Sequence, residues 1–214
     1  MTQLLLPVQG HRIGALAGLR RRYDFAQTVP PWDSDAASLG LVGALGFLGL
    51  LGASLARRVA AGLPEGWLTR LPSGRVLGDA LLDPTVIYAP FVRELLASDV
   101  VPVFLNGITG HGFLKIMRAD ADVRYEITEV PDVPEVLRFL VDQAGMGAGE
   151  AYSTLNMGAG YVVIVRAHDA DETLRIALNF GYEGLVAGEV VAGRRALAIR
   201  PLGVEYGDDD FQLR

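Results

Sequence analysis

From Gly74 onward, short apolar runs alternate with amphipathic stretches, and this alternation strongly constrains the fold. The run Tyr161–Val165 is continuously apolar, as in a strand that is buried on both faces of a sheet. Pro134 opens a stretch whose apolar side chains recur at helical spacing, which predicts an amphipathic helix. Strands and helices in alternation predict an α/β domain. The same patterns predict helices over 83–98 and 169–181, and strands over 100–105, 123–128, 185–191 and 195–200.

Residues 1–38 differ from the rest because they show no sustained helical or strand periodicity. We therefore predict an irregular N-terminal arm over 1–38 and one domain over 39–214. The arm contains the cluster Arg20–Arg22, which is either a solvated face or a phosphate site, and we favour the solvated face. At the other end, we expect the polar tail from Gly203 onward to be solvated.

The segment Leu39–Ala56 carries no charged residue and is as long as a membrane span. Glycine recurs at every third position within it, and each glycine weakens an isolated helix. Two interpretations follow. One is a membrane span, and the other is a buried strand, a glycine loop and the start of a helix that ends at Arg57–Arg58. We favour the second.

The composition excludes several classes of function. The chain contains no cysteine, which rules out disulfides, thiolate catalysis and cysteine metal sites. Its net charge is −6 and no basic tract dominates, so we expect no nucleic-acid partner. The histidines, His11, His111 and His168, are too scattered to predict a metal site. Lys115 is the only lysine, which we interpret as a compositional bias of the source genome.

The segment Asn106–Phe113 combines the end of a strand, a loop with three glycines and the start of a helical stretch. Glycines let the backbone approach a ligand closely, and the free amides of a helix N-terminus suit an anion such as phosphate. The alternative is a tight turn that binds nothing, because isolated glycine loops are weak motifs. The candidate phosphate-binding residues are Thr109, Gly110, His111 and Gly112.

A second glycine-rich segment, Tyr152–Gly160, leads into the apolar run that follows it. Asn156, ahead of Gly158, either holds a polar group of a ligand or closes a turn. Local sequence alone favours the turn. Asn156 and Gly158 are nevertheless the candidate ligand-binding residues of this segment.

Four segments match, in order and spacing, the motifs of one enzyme family. Residues 77–90 are similar to its GEALLxPTRxYxP segment, and Ile108–Phe113 to its LTGGGF loop, with His111 replacing a glycine. Tyr152–Gly160 resembles the MYxxFNMGxG segment, and Gly188–Val190 lies where the family has a late IGxV strand. Together these residues resemble the C-terminal domain of the aminoimidazole ribonucleotide (AIR) synthases, which are phosphoribosylformylglycinamidine cyclo-ligases.

The resemblance implies both a fold and a reaction. The implied fold is a mixed sheet packed with helices, of the AIR-synthase C-terminal type. The implied reaction belongs to purine biosynthesis in the cytoplasm. ATP activates the formyl oxygen of formylglycinamidine ribonucleotide, and ring closure then gives AIR. Such a ligase acts by positioning and electrostatics on a phosphorylated ribonucleotide substrate, with ATP and Mg²⁺ as cofactors.

Two departures from the family pattern shape our expectation for this chain. We find no counterpart of the N-terminal half, which in the family carries the acidic ligands of Mg²⁺ and ATP and the dimerising sheet. In the stretch that matches the family's GLxSNGxSLxRK loop, Leu50 and Leu51 replace the polar serine–asparagine pair. We therefore expect a partial or partner-dependent cyclo-ligase without metal ligands of its own, acting as a homodimer or with a separate ATP-binding half. The alternative is a non-catalytic subunit of the same superfamily, for phosphorylated-ligand binding or assembly.

Overall fold

A computed structural model of the chain describes residues 2–8, 45–118 and 121–211. These residues form helices and a mixed sheet, which confirms the predicted α/β class. They divide into two compact units. The first unit contains residues 2–8, 87–118, 121–132 and 147–211, and the second contains 45–86 and 133–146.

The elements, in chain order within each class, have the following bounds. The strands are β1 (Thr2–Val8), β2 (Phe104–Gly107), β3 (Val123–Ile127), β4 (Tyr161–Arg166), β5 (Glu183–Ala192), β6 (Ala196–Ile199) and β7 (Val204–Gly207). The α-helices are α1 (Leu45–Gly62), α2 (Leu77–Leu81), α3 (Ala89–Ala97), α4 (Glu135–Ala144), α5 (Ala148–Thr154) and α6 (Ala170–Asn179). Short 3₁₀ helices include Gly112–Arg118 and Asp208–Phe211.

The sheet lies in the first unit, with the strand order β2-β4-β1-β5-β3-β6-β7. Neighbouring strands are antiparallel except β3 and β6, which run parallel, so the sheet is mixed. Helices α3 and α6 pack on it at β4, where their buried side chains form one apolar cluster with the strand. The cluster contains Phe91, Leu95, Val100, Val163, Val165, Ala170, Ile176 and Ala177.

The N-terminal strand β1 corrects the expectation of an irregular arm over 1–38. It lies between β4 and β5, with Leu4 opposite both Ile164 and Gly188. The prediction is wrong for Thr2–Val8 because a strand in this place is stabilised by neighbours far away in sequence, which a local pattern does not record. Residues 9–44 lie outside the described part of the chain. The domain boundary at 38–39 and the interpretation of Arg20–Arg22 therefore stay predictions.

Helix α1, in the second unit, corrects the interpretation of Leu39–Ala56. Residues 45–62 form one helix, so the predicted helix is present but extends beyond Arg57–Arg58 at its end. It also begins earlier than predicted, and the expected strand and glycine loop are wrong from residue 45 onward. Leu55, Ala56, Val59 and Ala60 are buried, a helical stripe whose packing outweighs the poor helix propensity of glycine. Of the helices in the described residues, none is both long and apolar enough to cross a membrane.

Helix α3 begins later than predicted. Asp83 does not cap a helix, because its carboxylate accepts two hydrogen bonds from the Arg75 guanidinium, each 2.9 Å long. The helix begins at Ala89 instead, and Ile87, expected to be buried, is 70% exposed. Phe91 and Leu95 are buried, as the pattern predicted.

The remaining differences concern short elements. The strand expected over 100–105 is observed at Phe104–Gly107, directly after Val103, whose amide bonds to Ile164. The capping box expected at Asp169 is absent, because Glu172 binds Arg175 instead, with 2.7 Å between Oε2 and Nε. The tail expected to be solvated contains β7, which pairs with β6.

Candidate functional site

The two glycine-rich segments lie side by side in the first unit. Strand β2 leads into the loop Ile108–Gly112, and Gly112 is also the first residue of the 3₁₀ helix Gly112–Arg118. The amide of Ile108 donates to the carbonyl of Gly160 across 3.0 Å, which joins the loop to the end of the second segment. The structure therefore brings together the two stretches from which sequence analysis chose its candidate residues.

The loop leaves three consecutive backbone amides without an acceptor. Within it, Gly112 N donates to Thr109 O across 2.9 Å, and Leu114 N donates to His111 O across 3.1 Å. The N–H groups of Thr109, Gly110 and His111 have no hydrogen-bond acceptor among the described residues. All three residues are partly exposed. Consecutive free amides form the kind of concavity that binds anions.

Gly110 and Gly112 differ in the space around them. A Cβ atom built on Gly110 meets no heavy atom within 4 Å, so the loop is open there. A Cβ atom on Gly112 would lie 2.2 Å from the carbonyl oxygen of Tyr152 and 2.5 Å from that of Leu155. Gly112 also has a φ of +48°, in the left-handed region. Gly112 therefore permits the close packing of the loop on α5, whereas Gly110 faces open space.

His111 has a φ of 76°, which is uncommon for a residue with a side chain. The similar position in the AIR-synthase motif is a glycine, and the left-handed backbone explains that preference. Histidine is among the residues that adopt this conformation more readily than most. The turn therefore keeps its shape with the imidazole in place.

Asn156 closes the turn that enters β4. The residue is 4% exposed, and its Oδ1 atom accepts a hydrogen bond from the amide of Gly158 across 3.3 Å. The amide of Ala159 donates to its main-chain oxygen across 2.9 Å. Met157 and Gly158 both have positive φ values, 44° and 95°. Asn156 and Gly158 thus have a defined part in the turn, and contact with a ligand stays a prediction for both.

Lys115 is the residue of this site that sequence analysis did not select. Its ammonium group donates to the hydroxyl oxygen of Thr109 and, across 3.3 Å, to the carbonyl oxygen of Gly107. Its own carbonyl accepts from Asn106 Nδ2 across 3.2 Å. Burial, followed by the nearby charge of Arg118, lowers the pKa of Lys115. The sequence feature that could have identified Lys115 is that it is the only lysine of the chain and lies three residues after Gly112.

Packing behind the loop holds it against α5. The rings of Phe113 and Tyr152 meet edge to face, with 4.9 Å between centroids and 62° between planes. Both side chains are buried. Since α5 also carries the Tyr152 carbonyl that meets Gly112, the loop is held by the same helix at two neighbouring residues.

Metal-binding side chains do not cluster in the part of the chain that the structure describes. Within residues 2–8, 45–118 and 121–211, no group of three or more histidine, cysteine, aspartate or glutamate side chains is placed to hold an ion.

Comparison with known proteins gives the following relatives. No protein-family model matches the chain. It is 33% identical over 140 residues to the phosphoribosylformylglycinamidine cyclo-ligase of Methanococcus maripaludis (strain C6), covering 65% of this chain and 40% of that protein. The protein of the same name from Methanothermobacter thermautotrophicus is 38% identical over 104 residues, covering 49% and 30%. That from Methanocaldococcus jannaschii is 32% identical over 167 residues, covering 76% and 48%. These relatives confirm the resemblance seen in the four motifs. The chain spans less than half the length of each of them.

Two solved structures are more distantly similar. E. coli HypE, a hydrogenase maturation protein, is 20% identical, with a TM-score of 0.45 over 58% of this chain and 41% of that one. The protein tt0281 from Thermus thermophilus is 20% identical, with a TM-score of 0.47 over 95% and 50%. At these TM-scores the likeness does not bear on function.

Proposed function

We propose that this chain, which resembles the phosphoribosylformylglycinamidine cyclo-ligases, is a component of such a cytoplasmic ligase and binds the phosphate of a ribonucleotide at its Ile108–Gly112 loop. The reaction would be ATP-dependent closure of the imidazole ring to give AIR. The observation that carries the proposal is the set of free amides of Thr109, Gly110 and His111.

The loop has the properties that a phosphate site requires. Phosphate oxygens accept several hydrogen bonds at once, and three successive N–H groups without an internal acceptor offer them from one short stretch of backbone. The open space at Gly110 lets a bulky anion come close to these amides. The packing of Gly112 and Phe113 on α5 holds the loop in place before a ligand arrives, which lowers the entropy lost on binding.

The test is calorimetric titration with ribose 5-phosphate. We expect Gly110→Val to weaken binding by at least about tenfold, because the side chain fills the approach to the amides. The fold should tolerate it, since a Cβ at Gly110 meets nothing within 4 Å. Gly62→Val is the matched control, because Gly62 is also open and lies at the end of α1 in the second unit. Equal affinity in wild type and Gly110→Val, or a folded wild type that does not bind, would overturn the proposal.

The proposed reaction uses ATP and Mg²⁺, and ATP when bound would supply the phosphoryl group that activates the formyl oxygen. The described residues offer no ligand set for the metal, so we route no step through it. We propose that the acidic ligands come from a partner, either a second copy or a separate ATP-binding half. In that arrangement this chain binds and orients the phosphorylated substrate.

A non-catalytic subunit is the second candidate function, favoured by the lack of an acidic cluster among the described residues. The discriminating measurement is AIR formation from formylglycinamidine ribonucleotide and ATP by the purified chain. We expect no turnover by the chain alone, with turnover restored by an added ATP-binding half. Phosphate binding with no turnover under either condition supports the non-catalytic subunit.

A further inference from the structure

The ammonium group of Lys115 is a partly buried cation whose hydrogen-bond acceptors among the described residues are neutral oxygens. Two of its contacts are the Thr109 hydroxyl and the Gly107 carbonyl. None of the ion pairs among the described residues includes Lys115. Besides burial, the like charge of Arg118 lowers the pKa of Lys115.

This arrangement leaves both hydrogen-bonding capacity and charge unsatisfied. An ammonium group has three N–H donors, and the described structure uses two of them at Lys115. Partial burial without a carboxylate penalises the cation, and an anion placed beside it would remove that penalty. The N–H groups of Thr109, Gly110 and His111 in the neighbouring loop likewise have no acceptor among the described residues.

The Thr109 hydroxyl has a complementary property. Its oxygen accepts from Lys115, and it donates to no acceptor among the described residues. A hydroxyl that accepts one hydrogen bond still has its own hydrogen to donate. Lys115 therefore fixes the oxygen of Thr109 while leaving its hydrogen available to a ligand.

We propose that Lys115 is an anion-binding residue that contacts the ligand phosphate with its third N–H and orients the Thr109 hydroxyl toward the same phosphate. This inference rests on the proposed function, because it assigns the phosphate to the Ile108–Gly112 loop. It adds a charged residue to a site otherwise made of backbone amides, and thereby a preference for phosphate over neutral ligands.

The experiment uses the fact that Lys115 is the only lysine. A chain labelled with ¹⁵N at the lysine side chain gives one ammonium resonance without any modification of the protein. Titration with inorganic phosphate should shift this resonance saturably, while sodium chloride of equal ionic strength should not. Ribose 5-phosphate and ADP are then compared, and the tighter of the two identifies a substrate phosphate or a nucleotide phosphate as the source. A resonance that responds equally to phosphate and chloride would overturn the inference.

Affinity measurements on variants give an independent answer. We expect Lys115→Met to weaken ribose 5-phosphate binding by about ten- to a hundredfold, the loss of one charge-assisted hydrogen bond. Lys115→Arg keeps the charge and should lose less. If wild type binds and Lys115→Met binds equally well, the role of Lys115 is refuted while the phosphate loop stands. If wild type binds neither probe and its resonance does not shift, both proposals fail.

Discussion

The ammonium nitrogen of Lys115 lies 3.3 Å from the carbonyl oxygen of Gly107, the last residue of β2. The two residues are eight positions apart in the sequence. The hydrogen bond from the Lys115 side chain to the Gly107 carbonyl therefore connects the two ends of the intervening loop. Since Asn106 Nδ2 also bonds to the Lys115 carbonyl, the ends of the loop are joined twice. The loop is thus held in shape by contacts that leave its middle amides free.

Replacement of Thr109 separates the effect of its hydroxyl from that of its shape. Thr109→Val substitutes a methyl group for the hydroxyl, and we expect ribose 5-phosphate affinity to fall about tenfold. Thr109→Ser keeps the hydroxyl and should bind within about twofold of wild type. Calorimetry measures both, with thermal unfolding as the control for folding. Equal binding by the valine variant would show that the hydroxyl does not contact the ligand.

Two neighbouring substitutions in the loop should change stability in opposite directions. His111→Gly removes a side chain from a left-handed position with φ of 76°, and we expect the free energy of unfolding to rise by up to about 1 kcal/mol. Gly112→Ala places a Cβ 2.2 Å from the Tyr152 carbonyl oxygen and should lower the free energy of unfolding by about 2–4 kcal/mol. Urea unfolding measures both. A stable Gly112→Ala variant would contradict the packing of the loop on α5.

The carboxylate of Glu126 should make stability depend on pH. It accepts two hydrogen bonds from Arg200, of 2.6 and 2.8 Å, and one from Arg124, which also binds Glu205. Burial raises the pKa of Glu126, but the hydrogen bonds from Arg200 and Arg124 outweigh it and the net pKa is lowered. The unfolded chain then takes up the proton first as pH falls. The stabilisation is present above pH about 4.5 and is lost as pH falls through the lower pKa of the folded state.

Glu126→Gln tests this pH dependence. We expect the variant to be less stable than wild type by about 2 kcal/mol near neutral pH, because it loses charge-assisted hydrogen bonds. The difference should shrink as pH falls from about 4.5 through the lower pKa of the folded state, since the carboxyl becomes neutral first in the unfolded and then in the folded wild-type chain. Urea unfolding in steps of pH measures it. A difference that stays constant down to the acid transition would show that the carboxylate charge is not the cause.

The C-terminal strand can be tested through Tyr206. Its hydroxyl donates to the carbonyl oxygen of Gly149 across 2.5 Å and so ties β7 to α5. Burial, followed by the charge of Asp210, raises the pKa of Tyr206. We expect Tyr206→Phe to lower the free energy of unfolding by about 1 kcal/mol, because the hydrogen bond to the Gly149 carbonyl is lost. Thermal unfolding measures this loss, and an unchanged stability would indicate that water replaces the hydroxyl.

The elements that could be predicted from the sequence are those whose physical cause is local. The periodicity after Pro134 predicted helix α4, which runs from Glu135 to Ala144. The apolar run at Tyr161 predicted β4, whose Val162–Val165 are all buried. The glycines and threonine of the Ile108–Gly112 loop indicated a candidate phosphate site, because glycine and the start of a helix have the same backbone consequences in any fold, and ligand binding at this loop stays a prediction.

Tertiary structure decided the features that depend on distant residues. Strand β1 exists because β4 and β5 flank it, and helix α1 buries Leu55, Ala56, Val59 and Ala60 on one face. Gly112 and Gly110 look alike in sequence, yet only Gly112 is packed against backbone. From the sequence we interpreted Lys115 as a compositional bias, whereas in the folded chain its ammonium group donates hydrogen bonds to Thr109 and Gly107. Sequence by itself determined the types of element and the place of the loop, because propensity and periodicity act over a few residues. Neighbours, burial and charge environment were set only when the chain folded, because they are properties of contacts between distant parts of the chain.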